Sequence, residues 1–126
     1  MSYDPSALSV RDPTSSAWAL AWTRLYLRDN AEPFEYRDEE LLAALDALYF
    51  QVDGVAYFRP HFAAAHVIMT DPNRALSESL MSAMVTHRGP IAISNALRSE
   101  GAWIDDLIQT ITGERPGSRR RLVPGF

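Results

Sequence analysis

Phe34–Leu48, FEYRDEELLAALDAL, is the stretch whose reading decides the fold. Leu41, Leu42, Leu45 and Leu48 recur at steps of three and four, the period of one apolar helix face. Asp38, Glu39 and Glu40 precede them. These carboxylates fall in the first turn, where unpaired amides and the helix dipole favour negative charge by roughly 0.3–1 kcal/mol each at exposed sites. The pattern predicts a helix with Arg37 as N-cap and Tyr36 folded onto Leu41 as a hydrophobic staple. Arginine has no side-chain acceptor for the free amides, so the start is marked by its charges more than by its cap.

Working towards the N-terminus, Glu32-Pro33 and Asp29-Asn30 form a turn-rich break that should end an earlier helix near Arg28. That helix carries Trp18, Ala21, Trp22 and Leu25 at i, i+3, i+4 and i+7, with Tyr26 beside them. Such an aromatic stripe reads as core rather than as a ligand box. Asp12-Pro13 is the expected start, with Asp12 capping and Pro13 at the first helical position. Met1 to Arg11 has little pattern and reads as a loose arm.

Working towards the C-terminus, Tyr49–Val52 and Val55–Phe58 flank Asp53-Gly54, the strongest short signal for a two-residue hairpin. Leu45, Leu48, Tyr49 and Val52 also continue the helical face. The preferred reading runs the helix to about Gln51, stops it at the glycine and leaves Val55–Phe58 extended; the hairpin stays open as the alternative. A third helix follows from Pro60 to about Met69, its Ala63, Ala64 and Ala65 suited to close approach of a neighbour. Asp71-Pro72-Asn73 breaks it, residues 75–84 read as helical again, and Met84–His87 as briefly extended. Pro90 opens the last long helix, ending at Thr112-Gly113, with Gly101 marking a kink or a tight contact within it. The tail GERPGSRRRLVPGF has no amphipathic period and is expected to be flexible.

The fold class expected is therefore all-α, a small bundle of four to five helices with a possible short β-hairpin. Residues 1–113 form the helical domain and residues 114–126 the flexible basic arm. A chain of 126 residues suits one compact core. It contains no cysteine, which excludes disulfides and thiolate metal sites. No apolar run reaches the roughly 18 residues of a membrane span, and MSYDPSALSVRDP lacks the order of a signal peptide, so a cytoplasmic origin and no membrane partner are expected.

Motifs for chemistry are sparse, and no enzyme activity, metal or cofactor is expected. His61 and His66, five apart, face different sides of a helix, whereas a metal pair on one face needs a spacing of three or four. They read as surface or helix-packing residues. Asp105 and Asp106 are neighbours that point apart, with no evident partner for acid and base work. The serines Ser77, Ser79 and Ser82 lack a placed histidine and aspartate. Helix two is acidic and the last helix offers Arg98 against Glu100, Asp105 and Asp106, unlike the basic face of a sequence-specific DNA reader.

Charge is unevenly distributed. Net charge is −4, and every basic residue is arginine. Asp29, Glu32, Glu35, Asp38, Glu39, Glu40 and Asp46 face only Arg37 in their segment, while the tail sets Arg115, Arg119, Arg120 and Arg121 against Glu114. Opposite potentials of this kind steer association with another copy or an acidic partner; ordinary solvated charge is the plainer alternative.

The order of three segments resembles the head-completion, or head-to-tail connector (adaptor), proteins of tailed bacteriophages and gene transfer agents. They are WTRLYLRDNAEPFEYRDEELLAALDAL at 22–48, GVAYFRPHFAAAHVI at 54–68 and RGPIAISNALRSEGAWIDDLIQ at 88–109, and the resemblance is taken over about residues 17–112. Arg37 departs from the serine or threonine cap common in the family. The resemblance implies a structural virion protein at the head–tail interface, assembled in the host cytoplasm. It would form a homo-oligomeric, dodecameric ring beneath the portal protein, meet the next connector, stopper or tail protein below, and pass genome DNA without sequence recognition. Arg119, Arg120, Arg121, Leu122 and Phe126 are then the expected portal contacts, and Asp38, Glu39 and Glu40 the expected channel or subunit face. A small helical cytoplasmic regulator, or a protein- or DNA-binding adaptor, is the alternative.

Overall fold

A computed structural model describes residues 3–32, 34–70 and 90–116. The domain is mostly helical. A 3-10 turn, Pro5–Ser9, precedes α1 (Ser16–Tyr26), α2 (Asp38–Ala47), the strands β1 (Phe50–Val52) and β2 (Val55–Tyr57), α3 (Pro60–Thr70), α4 (Pro90–Glu100) and α5 (Ala102–Thr112). The expected segments at 71–73, 75–84 and 84–87 lie outside the described residues.

Helix α3 is the hub, packing against α1, α2 and α4. Its sequence explains why: Ala63, Ala64, Ala65 and Ile68 are all fully buried, and three small side chains in succession let neighbouring helices approach from more than one side. The aromatic stripe of α1 lies inward as expected, with Trp18 fully buried. Trp103 of α5 completes it, its ring 6.4 Å from Trp18 and 4.9 Å from Trp22, both edge-on. The Trp103 indole donates to Tyr26 Oη at 3.0 Å, so the new ring arrives with its polar atom satisfied.

Several boundaries differ from those read off the sequence. Helix α1 starts at Ser16 under a Ser15 cap, whose Oγ accepts from the Trp18 amide at 3.2 Å. Asp12 accepts instead from the amide and hydroxyl of Thr14, at 3.0 and 2.6 Å, forming a turn of its own. The Pro13 carbonyl accepts from Phe58 N at 2.7 Å, tying this turn to the end of β2. In the N-terminal arm, Asp4 caps the 3-10 turn and Ala7 is buried.

The preferred extension of α2 to Gln51 is corrected. The helix ends at Ala47, and β1 pairs antiparallel with β2 in the register Phe50↔Tyr57, Gln51↔Ala56, Val52↔Val55. Asp53 and Gly54 both take positive φ, 53° and 80°, which matches the twist of a two-residue hairpin and cannot continue a helix. The last helix is also divided. Gly101 separates α4 from α5, and Gly113 closes α5 in the left-handed conformation at φ 81°.

Candidate functional site

The expected channel or subunit face is the start of α2. Arg37 is the N-cap residue, and its amide donates to Glu40 Oε1 at 3.0 Å, one half of a capping box. Tyr36 and Leu41 are both buried in the same apolar cluster, consistent with the staple. The three carboxylates have separate fates. Asp38 accepts from Arg24 Nη2 at 2.6 Å, Glu40 turns back to the cap, and Glu39 alone of the three is exposed.

Arg24, which local spacing did not single out, organises this region. Its guanidinium is fully buried and donates to Asp29 Oδ2 at 2.9 Å, the Tyr36 carbonyl at 2.9 Å and Asp38. Asp29 is buried in turn and accepts from the amides of Glu35 and Tyr36 at 2.8 and 3.0 Å. The ring of Phe34 lies 4.4 Å from the guanidinium carbon. One arginine thus fastens the end of α1, the connecting loop and the first turn of α2. The acidic segment is opposed from within by an arginine 5 residues before Asp29 and 14 before Asp38.

A groove of about 370 Å³ runs along the contact of α2 and α3. Glu40, Ala43, Ala44 and Ala47 line one wall at helical spacing, His66, Val67 and Thr70 the other, with Tyr36 at the end. Its width follows from the alanines, whose side chains stop one carbon from the backbone.

A second cluster was missed by the sequence reading. Arg59 grips Asp105 with two parallel hydrogen bonds, Nε to Oδ1 and Nη2 to Oδ2, each 3.0 Å. His61 Nε2 lies 3.3 Å from Asp105 Oδ2. His61 is fully buried, which is the helix-packing alternative of the two read for it, and Asp105 has two partners. Burial pushes the His61 imidazole down; the Asp105 hydrogen bond and charge pull it up and Arg59 opposes it, leaving it below the ordinary histidine value. Burial pushes the Asp105 carboxyl up, but the bonds from His61 and Arg59 outweigh it and hold the group below the usual carboxylate range. His61 is thus neutral near pH 7, with Nε2 donating to Asp105. The Arg59 guanidinium also lies over the Phe62 ring at 3.7 Å, with Arg98 of α4 at 5.4 Å from the same ring. The cluster is a strut joining α3, α4 and α5. The only local hint of it was Gly101, where a Cβ would collide with the Cβ and ring of His61.

Both shifts have the same sign for stability. As pH falls below about 6.5, the unfolded chain protonates its His61 before the folded one does, so stability declines; Asp105 adds a further decline below about 4. Urea midpoints are expected to fall steadily on going from about pH 7.5 to about pH 5, and His61→Gln to flatten that part of the curve. A midpoint unchanged over this range in the unsubstituted protein would contradict a buried, neutral His61.

Arg115, assigned to the flexible arm, pairs with Asp106 and reaches Gln109 Oε1 at 3.3 Å. Arg119, Arg120, Arg121, Leu122 and Phe126 lie outside the described residues. Among the described residues, no helix is long and apolar enough to cross a membrane.

These features define a mostly helical domain built round α3, with a short hairpin at one corner and internal ion pairs at two of its helix junctions. Comparison of the chain with protein-family models, curated proteins and solved structures finds no match.

Proposed function

We propose that this protein is a structural, non-catalytic virion subunit, a head-to-tail adaptor that closes into a ring under a portal protein and extends the DNA channel. The observation that carries the reading is that the three resembling segments coincide with successive packed units of one core. The first runs from Trp22 in the second half of α1 through the Arg24-fastened loop and α2; the second covers β2 and most of α3; the third covers α4 and most of α5. The acidic turn is locked in shape by Arg24, which leaves Glu39, with Asp46 seven residues on, as the exposed charge of α2. A face of that sign lets a polyanion slide past without sticking. The arm Arg119–Phe126 supplies cationic and apolar groups for the portal, its ordering entropy offset by the surface covered.

Electron microscopy of the protein mixed with a portal tests the placement directly. Truncation after Pro116 tests the arm: the helical circular-dichroism signal is expected to persist while ring density beneath the portal is lost. Normal assembly of the truncated chain would remove the docking role, and absence of the protein from particles would favour a cellular regulator.

A further inference from the structure

The α2–α3 groove and the arm are complementary in charge, in size and in the order of their features. We propose that, in the free protein, the groove of one copy receives residues Arg119–Phe126 of a second copy. This does not rest on the adaptor reading, because it concerns the chain before any portal is met.

Helix α2 has no basic residue; Glu40 lines the groove, and the exposed Glu39 and Asp46 stand on the same helix. The arm carries Arg119, Arg120 and Arg121 and no acidic one. Along the groove, charge precedes apolar floor: Glu40 stands at one end and Ala43, Ala44, Ala47 and Val67 follow. The arm repeats that order, its arginines preceding Leu122, Val123, Pro124 and Phe126. The lengths agree. From Glu40 to Ala47 the helix rises about 10 Å, and an extended chain covers that distance in about three residues, so Leu122 to Phe126 spans the floor with the arginines still beside the acidic turn. A volume of about 370 Å³ falls within the range of sites that enclose small ligands, enough to take large side chains where α2 offers only alanines.

A second copy is the indicated donor. Arg115 is held against α5 by Asp106, leaving a spacer of three residues, 116–118, before Arg119. Helix α5 meets α3 at His61, near the start of that helix, whereas the groove lies along its later residues His66, Val67 and Thr70. Exchange of arms between copies links chains without altering either core.

The chain has no cysteine, so a thiol can be placed at will. Full-length Ala47→Cys and Phe126→Cys are mixed and oxidised with diamide; Ala47 is exposed, so the substitution leaves the core intact. Docking raises the effective concentration of the two thiols, and the disulfide-linked heterodimer is expected at roughly tenfold or more the yield of a control pair, Asp53→Cys with Phe126→Cys. The excess should vanish with Arg119, Arg120 and Arg121 all changed to serine, and shrink in about 1 M salt, where the screening length is about 3 Å. Yields equal to the control overturn the proposal. So does a disulfide that forms only within a doubly substituted chain, which would place the arm in its own groove. Neither outcome bears on portal binding, which is read separately by microscopy.

Discussion

Replacing Arg24 with alanine is expected to cost about 3–5 kcal/mol of folding stability, the range for removing one partner of a buried ion pair. Asp29 would remain at 4% exposure with two backbone amides and no cation, and the Tyr36 carbonyl would lose the Arg24 donor. A small domain has only about 5–15 kcal/mol in total, so the variant should sit near the edge of unfolding at room temperature. The exposed pair Arg37–Glu40, at 3.8 Å, supplies the contrast. Arg37→Ala is expected to change stability by no more than about 1 kcal/mol, because solvent screens the pair and both side chains lose freedom in making it. Urea titrations followed by circular dichroism read both. Equal effects of the two substitutions would mean that the Arg24 network does not hold the loop to α1 and α2.

At Gly101, the sign of the effect is as informative as its size. Glycine within a long helical stretch is ordinarily worse than alanine by about 0.5–1 kcal/mol, so Gly101→Ala would be expected to stabilise. Here the added methyl would overlap the Cβ and imidazole of His61, atoms next to a packed backbone that cannot swing aside. The expected result is a loss of about 1–3 kcal/mol for alanine, with a further loss for valine. His61→Ala in the same chain should recover part of it, and a double-mutant cycle gives the coupling. A stabilising Gly101→Ala would show that α3 and the α4–α5 junction do not touch as closely as the structure places them. Gly113 differs physically: among the described residues a Cβ there meets nothing within 4 Å, and the obstacle is its φ of 81°.

The sequence was most legible where chemistry repeats at helical spacing. The face of Leu41 and Leu45, the stripe of Trp18, Ala21 and Trp22, the start at Asp38 and the glycine stop at 113 were all readable from neighbours within a turn or two. The hairpin was legible as an alternative but not as the preferred reading. Leu45, Leu48, Tyr49 and Val52 satisfy a helix as well as the ends of a strand, and a local window does not show that Phe50 gains burial by pairing with Tyr57. Asp12-Pro13 misled for a related reason. Its capping groups serve a turn and a contact with Phe58, which lies 45 residues beyond Pro13.

By itself the sequence determined that this chain makes a mostly helical core, where α2 starts and α5 stops, and that four of its twelve arginines follow the last helix while seven of its sixteen acids lie between Asp29 and Asp46. Only tertiary structure decided which charges are spent inside. Arg24 reaches Asp38 across 14 residues, and His61 and Arg59 reach Asp105 across 44 and 46, distances over which periodicity says nothing about contact. Whether an ionised side chain is a strut or an exposed handle depends on the partner that desolvation forces it to find, and that partner is chosen by packing.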